Sequence, residues 1–537
     1  MSSLGRASAV IAAGTMVSRV TGLLRSIVLV GVLGSISQAA DAFTVANQLP
    51  NSVFQLISVG VLTAVIVPQI VKATAKPDGG GAFISKMFTL GVVVLLVCTA
   101  IAMIAAPGLV ALATSDKQQE LRALATALAY WCLPQILFYG IYALLGETLN
   151  ARRIFGPFTW APVINNVVSI AGFLALGALF GNVPTRAAAW TPEMTAMLGG
   201  TATLGIMLQA LVLLVFWRRT GLSLRPDFRW RGAGLGTVGR LAGWTLLMAL
   251  AGIAAGFFQT SIATTVSGTD ASTTVMANAW LVFMLPYSVI VLSIGTPYFT
   301  QISEHAAAGR DDEVRADISR SIRTLVFFII AAIAAVAAAA LPASRVFTRS
   351  IDETFQAAPV LIAYLIGLLP LTILFIVQRT FYAYDDTRTP FWFTIFQCTL
   401  VVGTALLASF LYTADVLPAS LLAAAVALGQ SIASTAQTLL AIWLLHRKIG
   451  GLQIASWMLS IGRFALAAIP AGAAGWGVFL LMGGDDGWTL RSQLFGALGT
   501  CIIGIAVVAV YIGILALLRA PELKVAGSML RRFLPGR

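Results

Sequence analysis

The chain has 537 residues, of which 58% are hydrophobic and 10% are charged, and its net charge is +13. A soluble protein of this length needs roughly a quarter charged residues to cover its surface, so the composition excludes a soluble globular protein and predicts that lipid is the main solvent. With two histidines, four cysteines and no Cys-x-x-Cys pair, the chain has few residues for metal or histidine-based catalysis, and we predict that it is not an enzyme.

Long apolar runs follow one another along the whole chain and are separated by short polar segments. Their length matches a helix that crosses about 30 Å of hydrocarbon. The first run continues past Arg19 and Arg25, which a cleaved signal peptide would not do. The sequence therefore predicts an all-α integral membrane protein with about fourteen transmembrane helices, at 8–33, 39–70, 87–113, 123–148, 157–181, 194–217, 241–266, 271–302, 324–342, 355–383, 390–412, 418–445, 464–482 and 492–518.

The distribution of the Lys and Arg residues tests the predicted number of spans. If the N-terminus is cytoplasmic, 25 of the 34 Lys and Arg residues fall in cytoplasmic segments, and six fall on the other side: Lys117, Arg122, Arg186, Arg345, Arg349 and Arg491. The positive-inside rule predicts such a bias, so both termini are predicted to be cytoplasmic. Because the basic charge lies in loops beside the membrane, where it contacts anionic lipid, we predict no nucleic-acid partner.

Two Leu-Pro pairs recur at a constant distance and indicate an internal duplication. Leu49-Pro50 matches Leu285-Pro286, and Leu133-Pro134 matches Leu369-Pro370, each 236 residues later. Six spans separate the copies, so both have the same orientation and are related by a pseudo-two-fold axis along the membrane normal. We predict an N-lobe at 1–220, a C-lobe at 221–450, and two C-terminal helices with a basic tail at 451–537. The prolines are predicted to interrupt equivalent helices, either as hinges or as ordinary bends.

Two arginines lie inside the first span. Arg19 is roughly 16 Å deep at 1.5 Å per residue, and Arg25 is about 9 Å further along. A guanidinium at the bilayer centre costs at least ~2.5–3.5 kcal/mol, so each must face protein or water. One interpretation is a cationic cavity that holds an anion, since arginine binds phosphate bidentately. The other is an ion pair with an acid on another helix, for which Asp41 is the candidate partner of Arg25.

Other polar residues fall within the predicted spans. Glu147 and Arg379 lie near the inner ends of spans 4 and 10, where snorkelling or local pairing is expected. A second group either lines a polar path or forms hydrogen bonds between helices: Ser18, Thr21, Asn47, Asn51, Gln55, Asn165 and Asn166. No Walker A motif occurs, so ATP is not predicted to drive the chain directly.

Several of these segments resemble the MurJ/MviN family of lipid II flippases, within the multidrug/oligosaccharidyl-lipid/polysaccharide exporter superfamily. They are residues 18–25 (SRVTGLLR), 40–43 (ADAF), Leu49-Pro50-Asn51 and Val67-Pro68. In the second half, residues 379–383 (RTFYA) and 386–390 (DTRTP) look like the family's motif after span 10. The resemblance covers all fourteen predicted spans. The sequence resembles the form of the family that occurs in high-GC Gram-positive bacteria.

This resemblance implies two six-helix lobes around a central cationic cavity, with a groove formed by spans 13 and 14 for a polyprenyl tail. It implies that lipid II, an undecaprenyl-diphosphate-linked peptidoglycan precursor, is moved by alternating access to the outer leaflet of a bacterial cytoplasmic membrane. Carried over by position, Arg19 and Arg25, with Ser18 beside them, would bind the headgroup. Asp41 and Asn51 would belong to the outer gate. The implied partners are lipid II or a similar glycan, membrane lipids and cell-wall synthesis proteins.

The chain also departs from the family pattern. Well-studied members carry a basic pair and an acid where this chain has Phe54, Gln55 and Val59. They carry an arginine and acids in span 8, where this chain has Trp280, Leu281 and Met284. The cavity is therefore expected to be less cationic, and its headgroup contacts stay open.

Three alternative functions remain open. The first is an exporter of another polyprenyl-linked glycan, and the second is a drug/cation antiporter, which should prefer acidic cavity residues. The third is a non-transporting scaffold for envelope synthesis, which would tolerate Arg19→Ala. No cofactor is predicted, the membrane potential is the expected driving force, and the coupling ion is not identified.

Overall fold

A computed structural model describes residues 3–58, 81–222, 225–228, 239–520 and 522–523. Over these residues the chain forms helices joined by turns and contains no strand. Predictions that concern residues 59–80, among them Val67-Pro68 and Val59, and the basic tail at 524–537 lie outside the described residues. The described part divides into two compact units, Met1–Thr274 and Val275–Arg537.

The first unit begins with a long helix and returns along a second. Its helices are α1 Ser3–Leu33, α2 Gln38–Ile57, α3 Gly81–Ile104, α4 Ala106–Ala113, α5 Gln119–Cys132, α6 Gln135–Ala151, α7 Gly156–Phe180, α8 Pro192–Trp217 and α9 Gly239–Ala263. The connection after α9 is also part of this unit, because Thr264, Ser267 and Ser272 are buried in it. The first compact unit ends at Thr274. The predicted three-part arrangement itself stays a prediction.

The second unit contains the remaining helices. They are α10 Thr273–Pro286, which starts in the first unit, a π-helical turn Tyr287–Val291, α11 Leu292–Ala307, α12 Asp311–Ala338, α13 Ala340–Arg345, α14 Ile351–Ile366, α15 Leu368–Ala383, α16 Arg388–Thr413, α17 Ala419–Ile449, α18 Ile454–Leu481 and α19 Gln493–Leu517.

Thirteen helical segments among the described residues are long and apolar enough to cross a membrane. They correspond to the predicted spans except the second, of which α2 is the described part. The predicted all-α membrane fold is thus confirmed. Several spans extend beyond their predicted ends, because charged residues such as those that open α12 continue the helix out of the apolar region.

The fourth span is broken into α5 and α6 at Leu133-Pro134. A break frees backbone carbonyls, and within a membrane these must be satisfied by protein or water. The Thr203 hydroxyl on α8 donates to the carbonyl of Trp131 at 2.6 Å. The break is therefore stabilised by the last helix of the predicted N-lobe.

The tenth span, its predicted equivalent, is broken into α14 and α15 at Gly367. Here the Ser431 hydroxyl on α17 donates to the Ala363 carbonyl at 2.7 Å. A Cβ on Gly367 would lie 2.8 Å from that hydroxyl, so glycine permits the close approach. The prediction that Pro370 interrupts this helix is wrong in detail. Pro370 lies in the first turn of α15, where proline costs no hydrogen bond.

The two C-terminal helices pack within the second unit. The Tyr511 hydroxyl on α19 donates to the Phe327 carbonyl on α12 at 3.0 Å. At one end, the buried Arg345 guanidinium donates to the carbonyls of Leu490 at 2.7 Å, Arg491 at 3.4 Å and Thr348. Arg345 thereby fixes the turn that precedes α19 to the end of α13.

Candidate functional site

The segment of α1 that carries Arg19 is fixed on α7 by one amide. Asn166 Nδ2 donates to the Ser18 carbonyl and to Thr21 Oγ1, both at 3.0 Å. Of the two interpretations of Asn166 and Thr21, the structure therefore supports the hydrogen bond between helices. Ser18 takes part through its backbone, and Arg19 follows it directly on the helix.

Arg19 and Arg25 are both half-buried on α1. Arg25 of α1 lies near Tyr139 of α6. The Tyr139 ring stacks on Phe54 of α2, with ring centroids 5.6 Å apart. We call Arg25, Phe54 and Tyr139 the arginine–aromatic cluster. Three helices meet there, and Phe54 fills a position where the family was expected to carry a basic residue.

Asp41 lies in the first turn of α2 and is completely buried. Its carboxylate accepts hydrogen bonds from the Ser267 hydroxyl and, at 2.8 Å, from the backbone N–H of Thr274. Among the described residues it forms no ion pair with Arg25, so that predicted pairing is wrong. Arg25 lies roughly 12 Å down α1 from the turn that joins α1 to α2, at 1.5 Å per residue, whereas Asp41 lies near the turn itself.

The predicted polar residues of α2 separate into two groups. Asn47 Oδ1 accepts from Nε2 of Gln135, at 3.2 Å, and the same Nε2 donates to Thr203 Oγ1 at 3.2 Å. Gln135 is completely buried, so Asn47 takes part in a bond between helices. Asn51 and Gln55 instead have exposed side chains.

Two residues of the site were missed from the sequence. Gln48 is also exposed on α2, and its spacing to Asn51 and Gln55 (three and seven residues) was a signal that could have found it. Tyr139 carried no such signal, because only the fold brings it to Arg25.

Glu147 and Arg379 do not share one environment. Glu147 is half-buried and forms no ion pair with any described residue. The Arg379 guanidinium lies over the rings of Phe299 and Phe375, 5.1 and 5.2 Å from their centroids. Arg379 is therefore stabilised by cation–π contacts rather than by a local acid.

In span 8, where the family was expected to carry an arginine and acids, this chain has an aromatic residue, Trp280. Trp280 on α10 packs against Phe283 and Tyr364, with centroids 4.8 and 5.3 Å apart. Leu281 and Met284 on the same helix are half-buried. At this position the second unit carries an aromatic cluster in place of charges.

The motif at 386–390 forms the start of α16. The Asp386 carboxylate accepts from the Thr389 N–H at 2.9 Å and the Thr389 hydroxyl at 2.8 Å. It also pairs with Lys448 of α17 at 2.6 Å. Burial opposes ionisation of this carboxyl, but these hydrogen bonds outweigh it and hold the pKa of Asp386 below its ordinary value. The motif is structural: it caps one helix and joins it to the next.

Replacing Asp386 by asparagine should therefore lower stability at neutral pH. A folded-state pKa below the unfolded value stabilises the protein above the ordinary carboxyl range, and this stabilisation is lost as pH falls through the folded pKa. We expect a loss of about 1.5–3 kcal/mol at pH 7, the usual worth of a hydrogen bond to a charged group. Thermal unfolding in detergent at pH 7 and below pH ~4 measures it, and the difference from wild type should shrink at the acidic pH.

The matched control is Asp385→Asn, the same change at the exposed neighbouring carboxyl. An equal loss in both variants, or one that does not depend on pH, would contradict the role assigned to Asp386.

An apolar cleft of about 300 Å³ lies within the second unit, between α12, α15 and α18. Its lining is aliphatic throughout: Ile330, Ile333, Ala334, Leu369, Ile461, Ala465, Ala468 and Ile469. Of the two C-terminal helices, α18 is the one that lines it. Within the described part of the chain, no group of three or more His, Cys, Asp or Glu residues is placed to hold a metal ion.

Comparison with known proteins gives a family match over most of the chain. The sequence model of the family described as lipid II flippase MurJ matches residues 30–499. A probable lipid II flippase MurJ from Haemophilus influenzae is 25% identical over 497 residues, covering 86% of this chain and 90% of its own. The probable lipid II flippase MurJ of Synechocystis is 24% identical and covers 98% of this chain and 97% of its own.

Solved structures show the same fold. A lipid II flippase MurJ in an inward closed conformation has a TM-score of 0.67 at 18% identity, covering 92% of this chain and 97% of its own. An inward-facing multidrug-resistance transporter of the MATE family has a TM-score of 0.62 at 16% identity, covering 82% of this chain and 96% of its own. The helical fold is therefore shared with both proteins.

Proposed function

We propose that this chain, which belongs to the lipid II flippase MurJ family, moves lipid II from the inner to the outer leaflet of the bacterial cytoplasmic membrane by alternating access. The observation that carries the proposal is the pair of half-buried arginines on an apolar transmembrane helix, Arg19 and Arg25. Charges of this kind are retained in a membrane where they face protein or water and serve a substrate path.

The chemistry of the cargo fits these residues. A diphosphate with a hydrophilic headgroup cannot cross hydrocarbon unless its hydration is replaced. Guanidinium groups replace it well, because their planar donors match phosphate oxygens bidentately. In this proposal Arg19 and Arg25 bind the diphosphate, with Ser18 beside them. Asp41 and Asn51 belong to the outer gate together with the connection at 264–272, and the exposed Asn51 side chain also faces the path further down α2.

The polyprenyl tail requires an apolar surface. The aliphatic cleft between α12, α15 and α18 supports this part of the proposal, since it has no charged lining residue. A long isoprenoid could extend from this cleft into lipid. The headgroup and the tail would then be held by different parts of the chain.

An inside-negative potential favours outward movement of an anionic cargo. It is worth roughly 2.3 kcal/mol per elementary charge for each 100 mV if the charge crosses the full field. We therefore propose that the membrane potential drives transport and that no cofactor and no covalent step are needed. The proposed topology has both termini in the cytoplasm. Beyond lipid II and membrane lipids, cell-wall synthesis proteins are the proposed partners, and nucleic acid is not one of them.

The test is to deplete the protein in its host and determine which leaflet holds lipid II. An externally added enzyme that cleaves lipid II reaches only the outer leaflet. We expect lipid II to accumulate and become protected from the enzyme. Unchanged exposure in a host without a second flippase would contradict the proposal. Another polyprenyl-linked glycan would then be the leading cargo, in keeping with Phe54 and Gln55 at positions where basic residues were expected.

A further inference from the structure

One face of α2 carries three exposed side-chain amides. Gln48, Asn51 and Gln55 are spaced by three and then four residues, so they lie on one face of the helix. We call these three residues the amide face. Much of the rest of α2 is buried, including Phe43, Leu49 and the other residues toward its first half.

An exposed amide face is costly if it meets lipid. An amide that moves into an apolar medium without a partner loses its hydrogen bonds to water and is strongly disfavoured there. Within the described part of the chain, none of these three amides forms a hydrogen bond with another residue. Their partners must then be water or a polar ligand, which places the amide face on a hydrophilic path rather than against hydrocarbon.

The amide face and the arginines lie at similar depths in the same unit. At 1.5 Å per residue, Gln48 is roughly 15 Å and Asn51 roughly 20 Å from the start of α2. Counted in the same way from the end of α1, Arg25 is roughly 12 Å and Arg19 roughly 21 Å away. Phe54 connects the two features, because it precedes Gln55 on α2 and stacks on Tyr139 of the arginine–aromatic cluster.

Amides and guanidinium groups differ in what they bind. Asn and Gln each offer two donors and an acceptor without charge, whereas Arg offers donors only. The amide face complements hydroxyl, N-acyl and peptide groups, which both donate and accept hydrogen bonds. We propose that the amide face binds the uncharged hydroxyl, N-acyl and peptide amide groups of the headgroup, while the arginines bind the diphosphate. This inference rests on the proposed function and assigns its headgroup contacts.

The test compares two lipids in nanodiscs that contain the full-length protein. One is polyprenyl diphosphate with its complete sugar–peptide headgroup, and the other is polyprenyl diphosphate alone. For the double variant Asn51→Leu/Gln55→Leu we expect binding of the complete lipid to weaken by about tenfold or more, from the loss of two neutral hydrogen bonds. Binding of the bare diphosphate should not change. Arg25→Gln should weaken binding of both lipids.

Two further variants keep the result interpretable. Gln55→Asn retains an amide and should preserve part of the preference for the complete lipid. Gln119→Leu makes the same kind of change at an exposed amide at the start of α5 and should alter neither affinity. Thermal unfolding of each variant shows whether it is folded. If the double variant is unstable, Asn51→Ala alone replaces it.

The outcomes separate this inference from the proposed function. Equal weakening for both lipids, or no weakening for either, would overturn the role of the amide face. Equal affinity of the wild type for both lipids would overturn it as well. If the wild type binds neither lipid, the proposed function itself fails.

Discussion

Replacing Arg19 by alanine should abolish transport while the protein still inserts and folds. In the proposed mechanism the guanidinium binds the diphosphate through charge-assisted hydrogen bonds, each worth about 1.5–3 kcal/mol. Loss of a bidentate contact then lowers the transport rate by about 100-fold or more. The measurement is rescue of growth in depleted cells, together with the externally accessible lipid II, at matched protein levels in the membrane.

Two variants define what Arg19 does. Arg19→Lys keeps the charge but not the planar, bidentate geometry, so we expect partial activity. Arg186→Ala removes an exposed arginine from the loop between α7 and α8 and should behave as wild type. Full activity of Arg19→Ala would refute the cationic mechanism. It would also favour the scaffold alternative, since a scaffold needs no charge at that depth.

The helices could be predicted from the sequence because membrane crossing requires a run of apolar residues of nearly fixed length. Breaks within spans were harder to place, because they depend on which helix supplies a partner. Proline marked the break between α5 and α6 correctly. In the tenth span the break lies at Gly367, where Ser431 can approach, and Pro370 only begins the next helix.

The charged residues of the candidate site stand out in the sequence. Arg19, Arg25 and Asp41 do so because a charge in an apolar run needs an explanation, and their roles stay predictions. Their partners do not stand out, because partners come from distant parts of the chain: Asp41 bonds to Ser267 and Thr274 rather than to Arg25. The spacing of the amide residues along α2 was a signal for the amide face, including Gln48. No pattern of that kind marked Tyr139.

The second large effect is expected at Asp41. Asp41→Ala removes the acceptor of the Ser267 hydroxyl and the Thr274 N–H, both at buried positions. Each lost bond to a charged group costs about 1.5–3 kcal/mol, so the connection at 264–272 should separate from α2. A cysteine placed at the buried Ser272 should then react faster with a membrane-impermeant thiol reagent added outside, and transport should fall because the outer gate no longer closes.

Asp41→Asn distinguishes the hydrogen bonds from the charge. Its amide oxygen can still accept from the Thr274 N–H, and the Ser267 hydroxyl can turn to accept from the amide nitrogen. Retained protection of Ser272 in this variant would show that the gate depends on hydrogen-bond geometry. Asp485→Ala, in the turn before α19, removes an exposed carboxylate that forms no ion pair with a described residue, and it should leave both accessibility and transport unchanged. If Asp41→Ala also leaves Ser272 protected, then Asp41 does not hold the gate, and closure must depend on the other buried contacts, such as the 3.0 Å bond between the Thr44 and Thr274 hydroxyls.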